Sequence, residues 1–208
     1  MIETSQAQAR PRQILAIAGS LRRDSFNRRL LQAAAAMAPS GLRITLDDGI
    51  GALPLFNEDI ELAMSAEGPV RALRERVAAA DALLIATPEY NQSIPGVLKN
   101  AIDWLSRPAP DRDVLSGKLV AVIGATAGRW GTRLAQAALR QTLFATESIV
   151  LPAPPIYLAG GDGAFDAQGA LADPSARESL AQLLIFLDRR LPAPGPQNTV
   201  ELADAYCA

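Results

Sequence analysis

Histidine is absent from all 208 residues of the chain, and that absence removes more chemistry than any residue present. A nucleophile activated by imidazole is excluded, and so are most zinc sites, because the single cysteine, Cys207, cannot replace the missing ligands. Lying almost at the C-terminus, Cys207 has no partner for an intrachain disulfide and is poorly placed for a buried nucleophile. No catalytic side chain and no metal site are therefore expected. No apolar run reaches the length of a membrane span, and residues 1–13 are polar without a hydrophobic signal region, so a cytoplasmic protein with no membrane partner is expected. The formal net charge is −2, and the arginines are spread along the chain rather than clustered with aromatics, which argues against nucleic acid as a partner.

What is present reads as one globular domain. Hydrophobic residues make up 49% of the chain, enough for a sizeable core at this length. Strand-like apolar runs at 14–18, 42–46, 82–87 and 119–125 alternate with helical patterns at 26–38, 69–80, 95–106 and 130–145. A fifth strand is expected over 148–151. A final amphipathic helix is expected over 174–191, with Leu180, Leu183, Leu184 and Leu187 on one face. This alternation predicts an α/β fold around a parallel sheet. The proline spacing around 192–196 and the polar start mark residues 1–12 and 192–208 as extensions of a domain at 13–191.

In an open parallel sheet a ligand binds beyond the carboxyl ends of the strands, and the loops there carry the unusual residues. The first is Gly19-Ser20-Leu21-Arg22-Arg23-Asp24-Ser25-Phe26-Asn27, between the first strand and the first helix. Free N–H groups and the positive dipole end at a helix start favour an anion; Ser20, Ser25 and Asn27 add neutral donors, and Arg22 adds a charged fork. The single glycine of this loop does not make a dinucleotide fingerprint, and without a lysine it is not a Walker loop, so a terminal monophosphate held by side chains fits best. The alternative is that Ser25 and Asn27 merely cap the helix while Arg22 is solvated. After the third strand comes Thr87-Pro88-Glu89-Tyr90-Asn91-Gln92-Ser93-Ile94-Pro95, a turn with a proline at each shoulder. After the fourth, Thr126-Ala127-Gly128-Arg129-Trp130-Gly131 has two glycines that permit close backbone approach.

Taken together, Gly19-Ser20-Leu21-Arg22-x-x-Ser25-x-Asn27 and Pro88-Glu89-Tyr90-Asn91-x-Ser93-Ile94-Pro95-Gly96-x-Leu98-Lys99-Asn100-Ala101-Ile102-Asp103-Trp104 resemble the NADPH-dependent FMN reductase family, which includes quinone and chromate reductases. The resemblance spans about residues 13–190. It implies a flavodoxin-like three-layer fold with a five-stranded parallel sheet ordered 2-1-3-4-5, noncovalent FMN, and NADPH or NADH as electron donor. It further implies that Ser20, Arg22, Ser25 and Asn27 bind the FMN phosphate, and that Pro88, Glu89, Tyr90, Asn91 and Ser93 line the ribityl chain and ring edge. Thr126 and Gly128 would wall the other side, in the segment that follows the family least closely. The acceptor would be a small molecule such as a quinone, free flavin or oxidised metal anion, and the protein a homodimer or homotetramer.

Other readings stay open at this level. Tyr90 could be an ordinary loop aromatic and Glu89 a solvated carboxylate, while Trp104 fits the core better than a cofactor contact. The segment Leu53-Pro54-Leu55-Phe56-Asn57-Glu58-Asp59 either approaches the flavin mouth or packs Phe56 into a neighbouring surface. An electron carrier that does not turn over NAD(P)H is the rival function, and a phosphate-binding regulator without flavin is the third.

Overall fold

The computed structural model describes residues 10–108 and 113–192; the expected extensions lie outside the described residues except for 10–12 and 192. The elements run β1 (Arg12–Ala18), α1 (Phe26–Ala36), β2 (Leu42–Asp47), α2 (Glu61–Ala66), α3 (Gly68–Ala79), β3 (Ala82–Ala86) and α4 (Gly96–Leu105). They continue with β4 (Leu119–Ala125), α5 (Arg133–Ala145), β5 (Ile149–Val150), β6 (Ile156–Leu158), α6 (Gly161–Ala164) and α7 (Pro174–Arg190). All strand pairs are parallel, in the order β2-β1-β3-β4-β5.

Both faces of the sheet are covered, which is why β1, β3 and β4 read as largely unbroken apolar runs, while the edge strand β2 alternates. Ile14 and Ala16 of β1 face a core shared with Leu30 and Leu31 of α1 and with Leu180, Leu183, Leu184 and Leu187 of α7. Leu15 and Ile17 of the same strand face the opposite core, with Leu73 and Val77 of α3, Leu98 and Ile102 of α4, and Leu139 and Leu143 of α5. This is the three-layer flavodoxin-like arrangement that the motifs implied.

The fifth sheet position departs from the simple expectation. The strand predicted over 148–151 forms as the two-residue β5 beside Leu119 and Val120, and a second piece, β6, then pairs with Ile123–Ala125 on the same edge of β4. Pro152, Pro154 and Pro155 stand between the pieces. A proline has no N–H to give to a ladder, so pairing is interrupted there and resumes once the prolines have passed.

Candidate functional site

The loop after β1 is drawn tightly onto β3. The Gly19 N–H donates to the Ala86 carbonyl at 2.8 Å, and a Cβ at Gly19 would lie 3.1 Å from a Leu98 methyl and 3.2 Å from Pro88 Cδ. A side chain here would push the β1 loop off the β3 loop, so the glycine is required by close approach rather than by its own torsion angles. Beyond it, Ser25 caps α1: its Oγ accepts from the Arg28 N–H at 3.4 Å, and its backbone is extended. The N–H groups of Phe26 and Asn27 begin the helix and have no carbonyl one turn earlier to bond.

The loops after β1, β3 and β4 meet around one cavity of 130 Å³, lined by Ser20, Arg22, Ser25, Asn27, Pro88, Glu89, Tyr90 and Thr126, together with Phe26, Ala125 and Ala127. Eight residues nominated from the sequence are thus brought together. Asn91, Ser93 and Gly128 sit in the adjoining turns without lining it. Arg22 is exposed; its guanidinium donates to the Asp24 carbonyl at 3.4 Å and lies 5.8 Å from the centre of the Phe26 ring. Tyr90 is about half exposed, with its hydroxyl 3.4 Å from Ser20 Oγ.

Two side chains do work that the sequence did not reveal. Asn27 is 2% exposed, and its amide nitrogen donates to the Ala125 carbonyl at 2.9 Å while its amide oxygen accepts from the Ala125 N–H at 2.9 Å. The last backbone bond between β3 and β4 in this region runs from the Thr87 N–H to the Ile123 carbonyl. In a parallel ladder Ala125 presents its groups on that same edge, so Asn27 takes the place of a strand that has turned away. Glu89 crosses to the start of α5, where one carboxylate oxygen accepts from the Leu134 N–H at 2.8 Å and the Ala135 N–H at 3.0 Å. Its charge is offset by the positive end of that helix. It is neither simply solvated nor simply a lining group.

The turn after β3 is strained. Tyr90 and Ser93 exchange two backbone hydrogen bonds of 3.0 Å, leaving a two-residue tip with Asn91 at φ 50° and Gln92 at φ 63°. This mirror-image turn usually carries glycine at its second tip position; a side chain such as Gln92 there costs on the order of 1 kcal/mol. Behind the loops, Gly124 admits a contact nothing else could: a Cβ would lie 2.0 Å from Thr132 Oγ1 and 2.5 Å from the Thr87 carbonyl. That glycine lets the β3 and β4 loops and the start of α5 close on one another.

The segment after β2 is pinned to α4. The Pro54 carbonyl accepts from the Asn100 amide at 2.9 Å and the Trp104 indole at 2.8 Å, and the Phe56 N–H donates to Asn100 Oδ1 at 2.8 Å. Phe56 packs edge-on against Trp104, with ring centres 4.9 Å apart, and Trp104 is a core residue at 1% exposure. Packing into a neighbouring surface is therefore what Phe56 does, and Leu55 beside it is left 83% exposed.

The residues lining this cavity fit the phosphate end of a flavin mononucleotide. The donors around it are the hydroxyls of Ser20 and Ser25, the Arg22 guanidinium and the opening N–H groups of α1, a set suited to a phosphate. Comparison with known proteins points the same way. The family model described as NADPH-dependent FMN reductase matches residues 12–162. An NAD(P)H-dependent FMN reductase of Pseudomonas aeruginosa is 50% identical over 171 residues, covering 82% of this chain and 90% of that protein. A 2-hydroxy-1,4-benzoquinone reductase of a Burkholderia species is 41% identical over 176 residues, covering 85% of this chain and 92% of that one. Among solved structures, the flavoenzyme NAD(P)H:(acceptor) oxidoreductase FerB from Paracoccus denitrificans superposes with a TM-score of 0.76 at 35% identity, covering 85% of this chain and 96% of its own.

Proposed function

Because the chain belongs to the NADPH-dependent FMN reductase family, we propose that it is an oxidoreductase that takes electrons from NADPH or NADH through bound FMN and passes them to a quinone, with free flavin or an oxidised metal anion as further acceptors. The observation that carries this reading is the convergence of the β1, β3 and β4 loops on one cavity whose donors suit a phosphate and whose lining carboxylate, Glu89, is bonded to the start of α5. The quinone assignment is supported by the relatives named for quinone reduction.

FMN, when bound, supplies the hydride chemistry, and the protein's part is binding, orientation and electrostatics. Arg22 and the start of α1 hold the phosphate, with Ser20 and Ser25 as neutral donors. Pro88 and Tyr90 line the ring side of the cavity, and the bonded Tyr90–Ser93 turn keeps that wall rigid. Thr126 closes the opposite side: its N–H donates to the Leu158 carbonyl at 2.9 Å, and its own carbonyl accepts from the Gly161 N–H at 3.0 Å, which ties the wall to β6 and α6. No side chain is assigned a covalent or proton-transfer role.

The unit proposed to carry the activity is the domain at 13–191, located in the cytoplasm. The exposed Leu55 and Leu62, at 83% and 75%, support a homodimer or homotetramer, which light scattering would measure. Among the described residues, no helix is long and apolar enough to cross a membrane. The deciding experiment is anaerobic stopped-flow mixing of FMN-loaded protein with NADPH or NADH, followed by a panel of quinones, flavins and chromate. Rapid bleaching of the flavin band and its return on adding quinone is the expected result. A protein that retains FMN but is not reduced by either nucleotide would be a carrier, and one that retains no FMN would be neither.

A further inference from the structure

The loop after β4 carries two large side chains at its tip, Arg129 and Trp130, that the reading above leaves without a role. Its backbone is pinned on both sides of them. Before the tip, the Gly128 N–H donates to Thr126 Oγ1 at 3.2 Å, and the Gly128 carbonyl accepts from the Gly160 N–H at 3.4 Å. After it, Gly131 has φ 69° and lies so close to β6 that a Cβ would stand 2.8 Å from the Tyr157 carbonyl oxygen. Thr132 is fully buried, and its hydroxyl accepts from the Gln136 amide at 3.0 Å. A fixed backbone thus holds the Trp130 side chain 63% exposed. A single exposed indole is ordinary on a protein surface; what distinguishes this one is its surroundings.

Thr126 and Ala127, just before the tip, line the 130 Å³ cavity, and so does Glu89, which is bonded to the start of α5 just after it. The tip therefore stands at the cavity rim on the β4 side. On the β3 side stands Tyr90, 47% exposed on its own bonded turn. The Arg129 guanidinium lies 4.6 Å from the centre of the Trp130 ring, and that of Arg133 lies 5.9 Å from the centre of Tyr157. Both arginines are exposed, and among the described residues neither guanidinium has an ion pair or a hydrogen bond. Of the acids on the segments packed against this loop, Glu89 is bonded to two helix N–H groups and Asp162 stands in the first turn of α6. A guanidinium lying on an aromatic face keeps its N–H edge for an anion, because the stacking uses its plane and the hydrogen bonds its rim. Arg129 covers one face of the indole, and the other is left for a flat guest. Ring and charge are adjacent here. They are adjacent too in a quinone with an ionised substituent, whereas a dinucleotide carries its charge a ribose away from either base.

We propose that Arg129 and Trp130 are acceptor-specificity residues that select a planar quinone bearing a negative charge on its ring, as an ionised hydroxyl, a carboxylate or a sulfonate. The indole stacks on the quinone, and the Arg129 guanidinium pairs with the charge. The inference deepens the proposed function and rests on it in taking a quinone as acceptor.

The test measures binding to oxidised, FMN-loaded protein without NADPH or NADH, so that no quinone is reduced. Two probes of similar size differ in charge, 1,4-naphthoquinone-2-sulfonate and 2-methyl-1,4-naphthoquinone. Calorimetry gives their affinities for wild type, Arg129→Gln, Arg129→Lys and Trp130→Leu. At low salt, Arg129→Gln is expected to weaken the sulfonate about fivefold, the upper end for an exposed ion contact, and to leave the methyl compound within about twofold of wild type. Arg129→Lys should recover part of that loss. Trp130→Leu should weaken both probes alike, by about threefold or more, because it removes stacking that both rings share. In steady-state assays the variants should raise KM for the matching quinones and leave KM for NADPH and NADH unchanged. Equal loss of both probes in Arg129→Gln would overturn the proposal, as would unchanged binding in Arg129→Gln or in Trp130→Leu. So would a rise in KM for the nucleotides in place of the quinones, which would move the pair to the donor's site. A changed oligomeric state in Trp130→Leu with quinone binding intact would equally refute it and make the indole an interface residue. The binding measurement needs no turnover, so failure of NADPH and NADH to reduce the flavin would count against the proposed function and leave the binding result standing.

Discussion

Replacing Asn27 separates a structural role from a ligand-binding one. The motif resemblance makes Asn27 a phosphate ligand, whereas the structure spends its amide on Ala125, with two hydrogen bonds of 2.9 Å in a site 2% exposed. Asn27→Ala removes both partners at once and leaves the Ala125 N–H and carbonyl unpaired at the end of β4. An orphaned buried polar group costs about 1–3 kcal/mol. Ala125 is 1% exposed but borders the 130 Å³ cavity, and truncating Asn27 opens its groups toward that space, so the lower half of that range applies to each. A loss of about 2–4 kcal/mol in unfolding free energy follows for the two groups together, a sizeable share of the stability of a domain this size. The measurement is urea unfolding of the FMN-free protein, so that no ligand contributes to the difference. Asn27→Asp sharpens the test. Its carboxylate still accepts from the Ala125 N–H but faces the Ala125 carbonyl without a proton, so folding raises this carboxyl pKa above its unfolded value. The folded state then binds more protons than the unfolded one, and the deficit relative to wild type should shrink as pH falls through the folded pKa and the protonated carboxyl donates to that carbonyl. An Asn27→Ala apoprotein within about 0.5 kcal/mol of wild type would refute the reasoning and return Asn27 to a purely ligand-binding role.

Other expectations follow from single contacts. Arg22→Ala should weaken FMN binding by about 1.5–3 kcal/mol with the apoprotein melting as wild type, since among the described residues its guanidinium meets a backbone carbonyl and a ring; titration of the apoprotein with FMN measures it. Glu89→Ala strips the start of α5 of two hydrogen bonds and a favourable charge and should cost about 1–2 kcal/mol, with Glu89→Gln recovering part of it; equal melting of all three proteins would contradict the capping role. Gly124→Ala should fail to give soluble folded protein, because the added carbon would lie 2.0 Å from Thr132 Oγ1 and 2.5 Å from a backbone oxygen; a soluble variant with wild-type melting would show that the three segments are less tightly closed. Gln92→Gly relieves the positive φ of 63° and should raise stability by about 0.5–1 kcal/mol, read as a higher Tm of the apoprotein.

The layers and the place of the site follow from local sequence pattern. A strand buried on both faces must be apolar throughout and a helix lying on it apolar on one stripe, so β1, β3, β4 and α7 were legible from local periodicity. Ser25 was legible as a helix cap, and the loops after β1, β3 and β4 as neighbours, because an open parallel sheet brings its carboxyl ends together wherever the connections are right-handed. The family motifs added the strand order. The short elements β6, α2 and α6 were not legible, since three to six residues carry too little periodicity to mark an element and the prolines before β6 read as loop.

What each polar side chain in those loops bonds to is set by the packed fold. Asn27 finds Ala125 and Glu89 finds Leu134, partners 98 and 45 positions away, and nothing in the neighbourhood of either residue specifies them. Asn100 and Trp104, read from the motif alone, gave no sign that they hold Pro54. Arginines and aspartates near one another in sequence are of one kind until the fold hands Asp47 to Arg76 and Asp48 to Arg28. Periodicity is a property of the chain within a turn or two. Hydrogen-bond and ion-pair partners depend on which loops the sheet brings within 3 Å, and that distance exists only once the layers have packed.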